Sequence, residues 1–291
     1  MKFSINFMKY RKIFLTISAV LMAGSLLFLL IRGLNLSIDF TGGNVIQVEL
    51  SKNEKISVGD VREVVDTVFQ GNSMIQEFGD TAFIIRTQDD GDDARIKMLN
   101  ALKMKYPEME ILGLEKVGPV VGAELRHEAY VGMVIALVAI LLYITFRFQF
   151  RFAVVSVMAL VHDTVLVLGA FSLAGMEVNT SFIAAILTVV GYSINATIII
   201  LDRIRENWKD LPTKRIVQLV NDSTNQTLSR TINTTLTTIC PVIALFVWGG
   251  PVLSSFSFAL LIGLIVGTYS SICISTSLLC EWWLKRPISG K

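Results

Sequence analysis

Charge is what this sequence has least of: Lys, Arg, Asp and Glu make up 17% of its 291 residues, against 53% hydrophobic ones. Average globular chains carry about 25% charged residues, so the composition argues against a single water-bathed core and for lipid as solvent. Cysteine and histidine are scarce as well, at three and two residues. Cys240, Cys273 and Cys280 all fall in or beside apolar runs, so neither a disulfide framework nor a metal site is implied. A phosphate-binding Gly-Lys-Ser/Thr loop is missing too, which argues against ATP hydrolysis by this chain. Nothing in the sequence looks catalytic; we expect no enzyme and no cofactor.

What the sequence does have is long uncharged runs. A helix crossing the ~30 Å hydrocarbon core of a bilayer needs about 20 mostly apolar residues. Residues 13–31, 129–146, 178–201, 231–248 and 252–280 contain no Asp, Glu, Lys, Arg or His. A sixth run, 152–174, is interrupted only by His162 and Asp163 at its midpoint. Six transmembrane helices follow, the first at 13–32 and the other five within 129–280. The first run has the basic flank of a signal peptide, but at 19 residues it exceeds the usual apolar length and is expected to stay attached as an anchor. Segments 1–12, 147–151, 202–230 and 281–291 carry 4, 2, 6 and 3 basic residues, whereas the short loops near Glu177 and Gly249-Gly250-Pro251 carry none. The positive-inside rule then predicts cytoplasmic segments 1–12 and 281–291, with both termini inside.

Residues 33–128 form the one stretch long enough to fold outside the membrane. Their 17 acidic and 10 basic residues give no electrostatic case for nucleic-acid binding. Ile46, Val48 and Leu50 alternate with polar residues, as a half-buried strand should. Ser57 and Asp60 resemble a capping box, followed by Val61, Val64, Val65, Val68 and Phe69 at helical spacing. Residues 74–78 and 82–86 flank a Gly79-Asp80 turn and suggest a hairpin. A second helical stripe, Ile96, Leu99, Leu102 and Tyr106, ends at Pro107, and residues 110–117 supply a last strand. That order predicts an α+β ferredoxin-like extracytoplasmic domain between the first two spans, a fold that specifies no function.

Candidate functional residues lie in the spans. A carboxylate at mid-membrane costs about 2.5–3.5 kcal/mol on insertion scales, so Asp163 needs a partner, a proton or water. With His162 it reads either as a proton relay or as a hydrogen-bonded residue locking two helices. In Gly191-Tyr192-Ser193-Ile194-Asn195, glycine permits close helix approach and Asn195 can hydrogen-bond across helices. The run Asp202-Arg203-Ile204-Arg205-Glu206-Asn207 is charged and amphipathic at the membrane boundary, as a stop-transfer anchor also is. Arg230 either snorkels from a helix end or, if its helix starts near Thr224, lies within the bundle. The threonines that follow it could line a polar path, although packing and backbone hydrogen bonds account for them as well. The G-x-x-x-G at Gly263 and Gly267 is a weak signal of close contact, and the 29-residue length of the last run implies tilt or a break.

Four separated segments together resemble the SecD/SecF family, in both content and order. They are Ile38-Asp39-Phe40-Thr41-Gly42-Gly43, Val117-Gly118-Pro119-Val120-Val121-Gly122, His162-Asp163, and Gly191 to Asn195 continuing through Asp202-Arg203-Ile204-Arg205-Glu206-Asn207. The resemblance, to the SecF side of that family, implies half of an RND-type transporter in a bacterial plasma (inner) membrane. It implies pairing with SecD, action alongside SecYEG and SecA on translocating secretory polypeptides, and use of the proton or sodium gradient. One charge moving down 100 mV releases ~2.3 kcal/mol, enough to bias a domain between two orientations, and the glycine-containing junctions 33–43 and 117–128 are the expected hinges. The family pattern also implies a functional arginine, matched by Arg230 between Ser229 and Thr231. It places a carboxylate directly after Asn195, where this sequence has Ala196. Either SecD supplies the working carboxylate, the reading preferred, or Asp163 replaces it, or the alanine weakens coupling. A stand-alone RND-type exporter of lipids or drugs, and a passive scaffold for SecD, are the competing functions.

Overall fold

The computed structural model describes residues 5–50, 56–69, 73–78, 81–89, 91–147, 150–208 and 216–285. In chain order its principal elements are α1 (Arg11–Arg32), α2 (Ile38–Thr41), β1 (Gly43–Glu49), α3 (Val58–Phe69), β2 (Ser73–Phe78), β3 (Ala82–Thr87), α4 (Asp92–Lys105) and β4 (Glu110–Val117). There follow α5 (Pro119–Arg147), α6 (Phe150–Ala174), α7 (Thr180–Trp208), α8 (Ile216–Trp248), α9 (Gly250–Tyr269) and α10 (Thr276–Lys285). Two compact units emerge, one of Met1–Asn35 with Met133–Lys291, the other of Leu36–Gly132.

In the smaller unit four antiparallel strands lie in the order β2-β3-β1-β4. The alternation in β1 sends Ile46, Val48 and Leu50 to one face, where they pack with Ile75, Phe83 and Ile85 against α3 and α4. From α3 come Val61, Val64, Val65 and Phe69, with Val68 partly buried beside them. The start of α3 follows from its cap: the Asp60 amide donates to Ser57 Oγ at 3.2 Å, and the Ser57 amide donates back to Asp60 Oδ2 at 3.1 Å. The Ser57 hydroxyl also donates to Asp60 Oδ2 at 2.7 Å, and that bond, followed by the one from the Ser57 amide, holds the Asp60 carboxyl below its ordinary value. On α4 the expected stripe needs correction. Ile96 is 51% exposed, and Met98 takes its place beside Leu102 in the core. The rest of the stripe holds, with Leu102 in the core and Leu99 and Tyr106 packed against it, so Ile96 alone falls off the buried face. The Gly79-Asp80 turn lies outside the described residues.

Two of the sequence motifs meet at one end of this unit. Gly42, at φ 75°, would place a Cβ 3.0 Å from Pro119 Cα, and a Cβ on Gly122 would lie 3.0 Å from the Gly42 nitrogen. Gly43, at φ 135°, lies so close against the Thr87 carbonyl that any side chain would collide with it. Gly42, Gly43 and Gly122 thus serve close backbone packing, which ties the two junction motifs to each other, whereas a Cβ on Gly33 or Gly118 would meet nothing within 4 Å.

Among the described residues six helices are long and apolar enough to cross a membrane, and the chain is a multi-pass helical membrane protein. The second of them starts at Pro119, well before the uncharged run at 129. Only 6% of the apolar window is buried in α1 and in α5, against 56% in α6, so α6 sits inside the bundle and those two at its edge. The G-x-x-x-G of α9 works as glycine spacing does: Gly263 is pressed against Val189 of α7, and a Cβ on Gly267 would sit 3.0 Å from Ser193 Cβ. Gly191 is different, since a Cβ there would meet nothing. Between α9 and α10 the helix continues through a π-helical turn, Ser270–Ser275, so the last run contains no break.

Candidate functional site

The residues singled out in the spans separate into two places. His162 and Asp163, on α6, are 2% and 1% exposed and form the centre of a buried polar knot. Asp163 Oδ1 lies 3.0 Å from His162 Nδ1. Asp163 Oδ2 accepts from Ser193 Oγ of α7 at 2.6 Å and from Ser270 Oγ at 2.8 Å. The π turn matters here because its wider winding brings adjacent serines to neighbouring partners. Ser270 reaches Asp163, while Ser271 donates to the Ser193 carbonyl at 3.2 Å and shares a 2.8 Å hydrogen bond with Thr197. Three helical segments are thus fastened around one carboxylate. His162 Nε2 is buried with no hydrogen-bond partner among the described residues, and the ring stands 6.3 Å from that of Tyr269. Ser270 and Ser271 escape sequence reading because they are scattered serines in an apolar run; only the excess length of that run hinted at them.

Asn195 and Arg230 lie elsewhere, on exposed faces of α7 and α8. These helices run antiparallel in contact: Thr238 donates to the Tyr192 hydroxyl at 3.4 Å, Arg203 to Gln226 at 2.5 Å and Asn207 to Ser223 at 2.8 Å. That pairing sets Asn195 level with Thr234. The exposed positions on α8 include Gln226, Arg230, Asn233, Thr234 and Thr237, spaced as one face of a helix, and the exposed face of α7 includes Thr188, Gly191 and Asn195. Neither the Asn195 amide nor the Arg230 guanidinium has a side-chain partner among the described residues. Because α8 starts at Ile216, Arg230 lies about 14 residues into the helix rather than at its end. It is about 27 Å along the axis from Trp248, just inside one ~30 Å hydrocarbon slab. Ala196 is 6% exposed and turned into the bundle.

The threonines divide between these environments. Thr231 and Thr235 are buried, Thr235 bonding Thr268 at 2.8 Å, whereas Thr234 and Thr237 belong to the exposed face and return their hydroxyls to their own helix. The charged run after Asn195 acts as a bracket. Arg205 pairs with Asp202 at 2.6 Å and donates to the Arg147 carbonyl of α5 at 3.3 Å, while Arg203 joins Glu206 at 2.8 Å. The motif residues Asp39, Gly42, Gly43, Gly118 and Pro119 all lie in the smaller unit and join neither place.

Two family models match the chain: the protein export membrane protein SecD/SecF C-terminal model over residues 97–285, and the SecD/SecF GG motif over residues 27–54, which contains Gly42-Gly43. The chain is 42% identical to the protein translocase subunit SecF of Desulfurispirillum indicum, over 96% of this chain and 91% of that one. It is 41% identical to the protein translocase subunit SecDF of Thermus thermophilus, over 88% of this chain but 35% of that longer one. The crystal structure of SecDF from Thermus thermophilus, a translocon-associated membrane protein, superposes with a TM-score of 0.87 at 38% identity, covering 96% of this chain and 38% of that one. SecDF in a super-membrane-facing form superposes with a TM-score of 0.74.

Proposed function

The chain belongs to the SecD/SecF family of protein export membrane proteins, and we propose that it is the SecF half of a SecD-SecF complex that uses an ion gradient to assist protein export through the Sec channel. The carrying observation is the exposed polar face of α7 and α8. Lipid-facing helix surfaces elsewhere in the bundle are apolar, as in the exposed Val134, Ile135, Val138 and Leu142 of α5. A face that carries Asn195, Asn233, Thr234 and Thr237 within the slab and Arg230 near its edge is poorly matched to hydrocarbon, since polar side chains in membrane helices ordinarily face a protein partner or a water-filled path. It fits a second membrane protein that brings a carboxylate to Arg230. Ala196 cannot supply that charge, and Asp163 is fully engaged within the knot. This supports SecD as the source of the working carboxylate, with Arg230 and Asn195 lining the ion path and His162-Asp163 locking helices.

On this reading the chain is not an enzyme; the gradient supplies the energy. The smaller unit is read as the ferredoxin-like extracytoplasmic domain, its β2-β3-β1-β4 order supporting that fold, and both termini are cytoplasmic in a bacterial plasma membrane. SecYEG, SecA and the translocating polypeptide are the further partners. Depleting the chain in its host while following a pulse-labelled secretory precursor tests the proposal. Precursor accumulation rescued by the intact chain, but not by Arg230→Ala, is expected. Normal maturation with altered lipid or drug efflux would favour the stand-alone exporter, and rescue by Arg230→Ala a passive scaffold.

A further inference from the structure

The exposed polar stripe of α8 does not end at Thr237. Following Gln226, Arg230, Asn233 and Thr237 at helical spacing, the next position is Pro241, which is also exposed and lies inside the helix. Proline has no N–H, so the bond that residue 241 would give the Thr237 carbonyl cannot form, and its ring crowds that carbonyl away from the axis. Membrane helices ordinarily meet such a gap with a nearby hydroxyl. Here those hydroxyls are spent one turn earlier: Thr237 donates to the carbonyls of Asn233 at 3.0 Å and Thr234 at 2.9 Å, and Thr238 to that of Thr234 at 2.9 Å. Beside them runs the exposed face of α7. The pairing that sets Asn195 level with Thr234 sets Gly191 level with Thr238, and a Cβ on Gly191 would meet nothing within 4 Å. A missing side chain on one helix therefore lies beside a missing amide hydrogen on the other, at one height.

We propose that Gly191 and the Thr237 carbonyl form a notch that receives one neutral hydrogen-bond donor, a hydroxyl or carboxamide side chain, from a SecD helix. The inference rests on the reading of the stripe as the SecD contact and adds what SecD presents there. The group is a donor because a carbonyl can only accept, which also excludes an acyl chain as the occupant. It is neutral because a second cation beside Arg230 would need a second carboxylate, and the exposed positions of α7 and α8 along the stripe offer none. Glycine sets the approach, since the space left by its absent side chain lets a partner come close to the α8 backbone. Thr237 lies seven residues beyond Arg230, about 10 Å along the axis. A partner helix lying along α8 thus carries its carboxylate and its donor seven positions apart, on one face.

The test reads that carbonyl directly. Threonine follows threonine at only two places in the sequence, Thr234-Thr235 and Thr237-Thr238. A chain grown on threonine labelled at its carbonyl carbon and its nitrogen therefore shows just those directly bonded pairs in solid-state NMR. Thr234, whose carbonyl already accepts two hydroxyls, is the internal reference. In lipid bilayers, adding SecD is expected to move the Thr237 carbonyl resonance downfield and leave Thr234 in place. Pro241→Ala restores the amide hydrogen. It should place Thr237 downfield in the chain alone, make it indifferent to SecD, and lower retention of SecD about fivefold, the weight of one hydrogen bond. Gly191→Leu, which fills the notch, should leave Thr237 upfield whether or not SecD is added. SecD bound with Thr237 unmoved would overturn the inference and leave the reading of the stripe intact, whereas an intact chain that retains no SecD would overturn both. A Thr237 resonance already downfield in the intact chain alone would mean that the carbonyl has another donor, and would overturn the inference too.

Discussion

The buried knot around Asp163 and the exposed stripe around Arg230 are both polar groups in membrane helices, yet they obey opposite rules. In the knot, each carboxylate oxygen has a partner from within the chain, so the helices pay for its burial by being fastened together. Along the stripe the threonines satisfy themselves, while the exposed side chains of Asn195, Arg230 and Asn233 have no side-chain partner among the described residues. Polar groups that are complete hold a fold; polar groups that are incomplete recruit a partner. The same contrast separates two kinds of glycine, since Gly263 and Gly267 are closed over by α7 whereas Gly191 faces outward.

The comparison breaks most visibly in export. Arg230→Ala should lower gradient-dependent precursor maturation by about 30-fold or more, the loss expected when one member of a desolvated charge pair is truncated. Asp163→Asn, which keeps hydrogen-bonding capacity, should stay within about threefold of the intact chain in the same pulse-chase. If Asp163→Asn were the inactive one, the roles assigned to knot and stripe would be reversed. Stability should invert the order. Asp163→Leu strands Ser193, Ser270 and His162 and should cost about 3 kcal/mol in detergent unfolding, while Arg230→Ala should leave the unfolding midpoint unchanged.

How much of this was legible in the sequence differs between the regions. Six spans follow from uncharged length, and the strands and helices of the smaller unit from alternation, a capping box and a helical stripe. Ile96 misled because the i, i+3 spacing to Leu99 drifts to the margin of the stripe, while Met98, four residues before Leu102, fills the centre of the buried face. Asp163 announced itself as a mid-span carboxylate, but its serine partners did not, since the π turn that aims them leaves no local signature. The stripe was present in the spacing of Gln226, Arg230, Asn233 and Thr237; what the sequence withheld was which face the bundle leaves uncovered. The pairing of the two glycine motifs was hidden by their separation along the chain.

Smaller effects sharpen the contrast. Gly263→Leu should push α9 off Val189 and cost about 1–3 kcal/mol, whereas Gly191→Leu should leave the isolated chain as stable as before and weaken its co-purification with SecD. Retained co-purification would remove Gly191 from the interface. Least of all, Ser57→Ala should speed hydrogen exchange at the first amides of α3 without touching the bundle. Because the folded Asp60 carboxyl titrates below its ordinary value of 3.8, its support for α3 is complete above that pH and is lost as pH falls through the lower folded value. Faster exchange at pH 3 than at pH 6, after correction for intrinsic rates, checks the sign.

The most direct test is to place a photo-crosslinking amino acid at Asn233 on the stripe, and in parallel at Val161 on the outer side of α6, in cells expressing SecD. Adducts with SecD from Asn233 and none from Val161 are predicted. Adducts from Asn233 with lipid alone, or with a second copy of this chain, would contradict the claim that the stripe is completed by SecD.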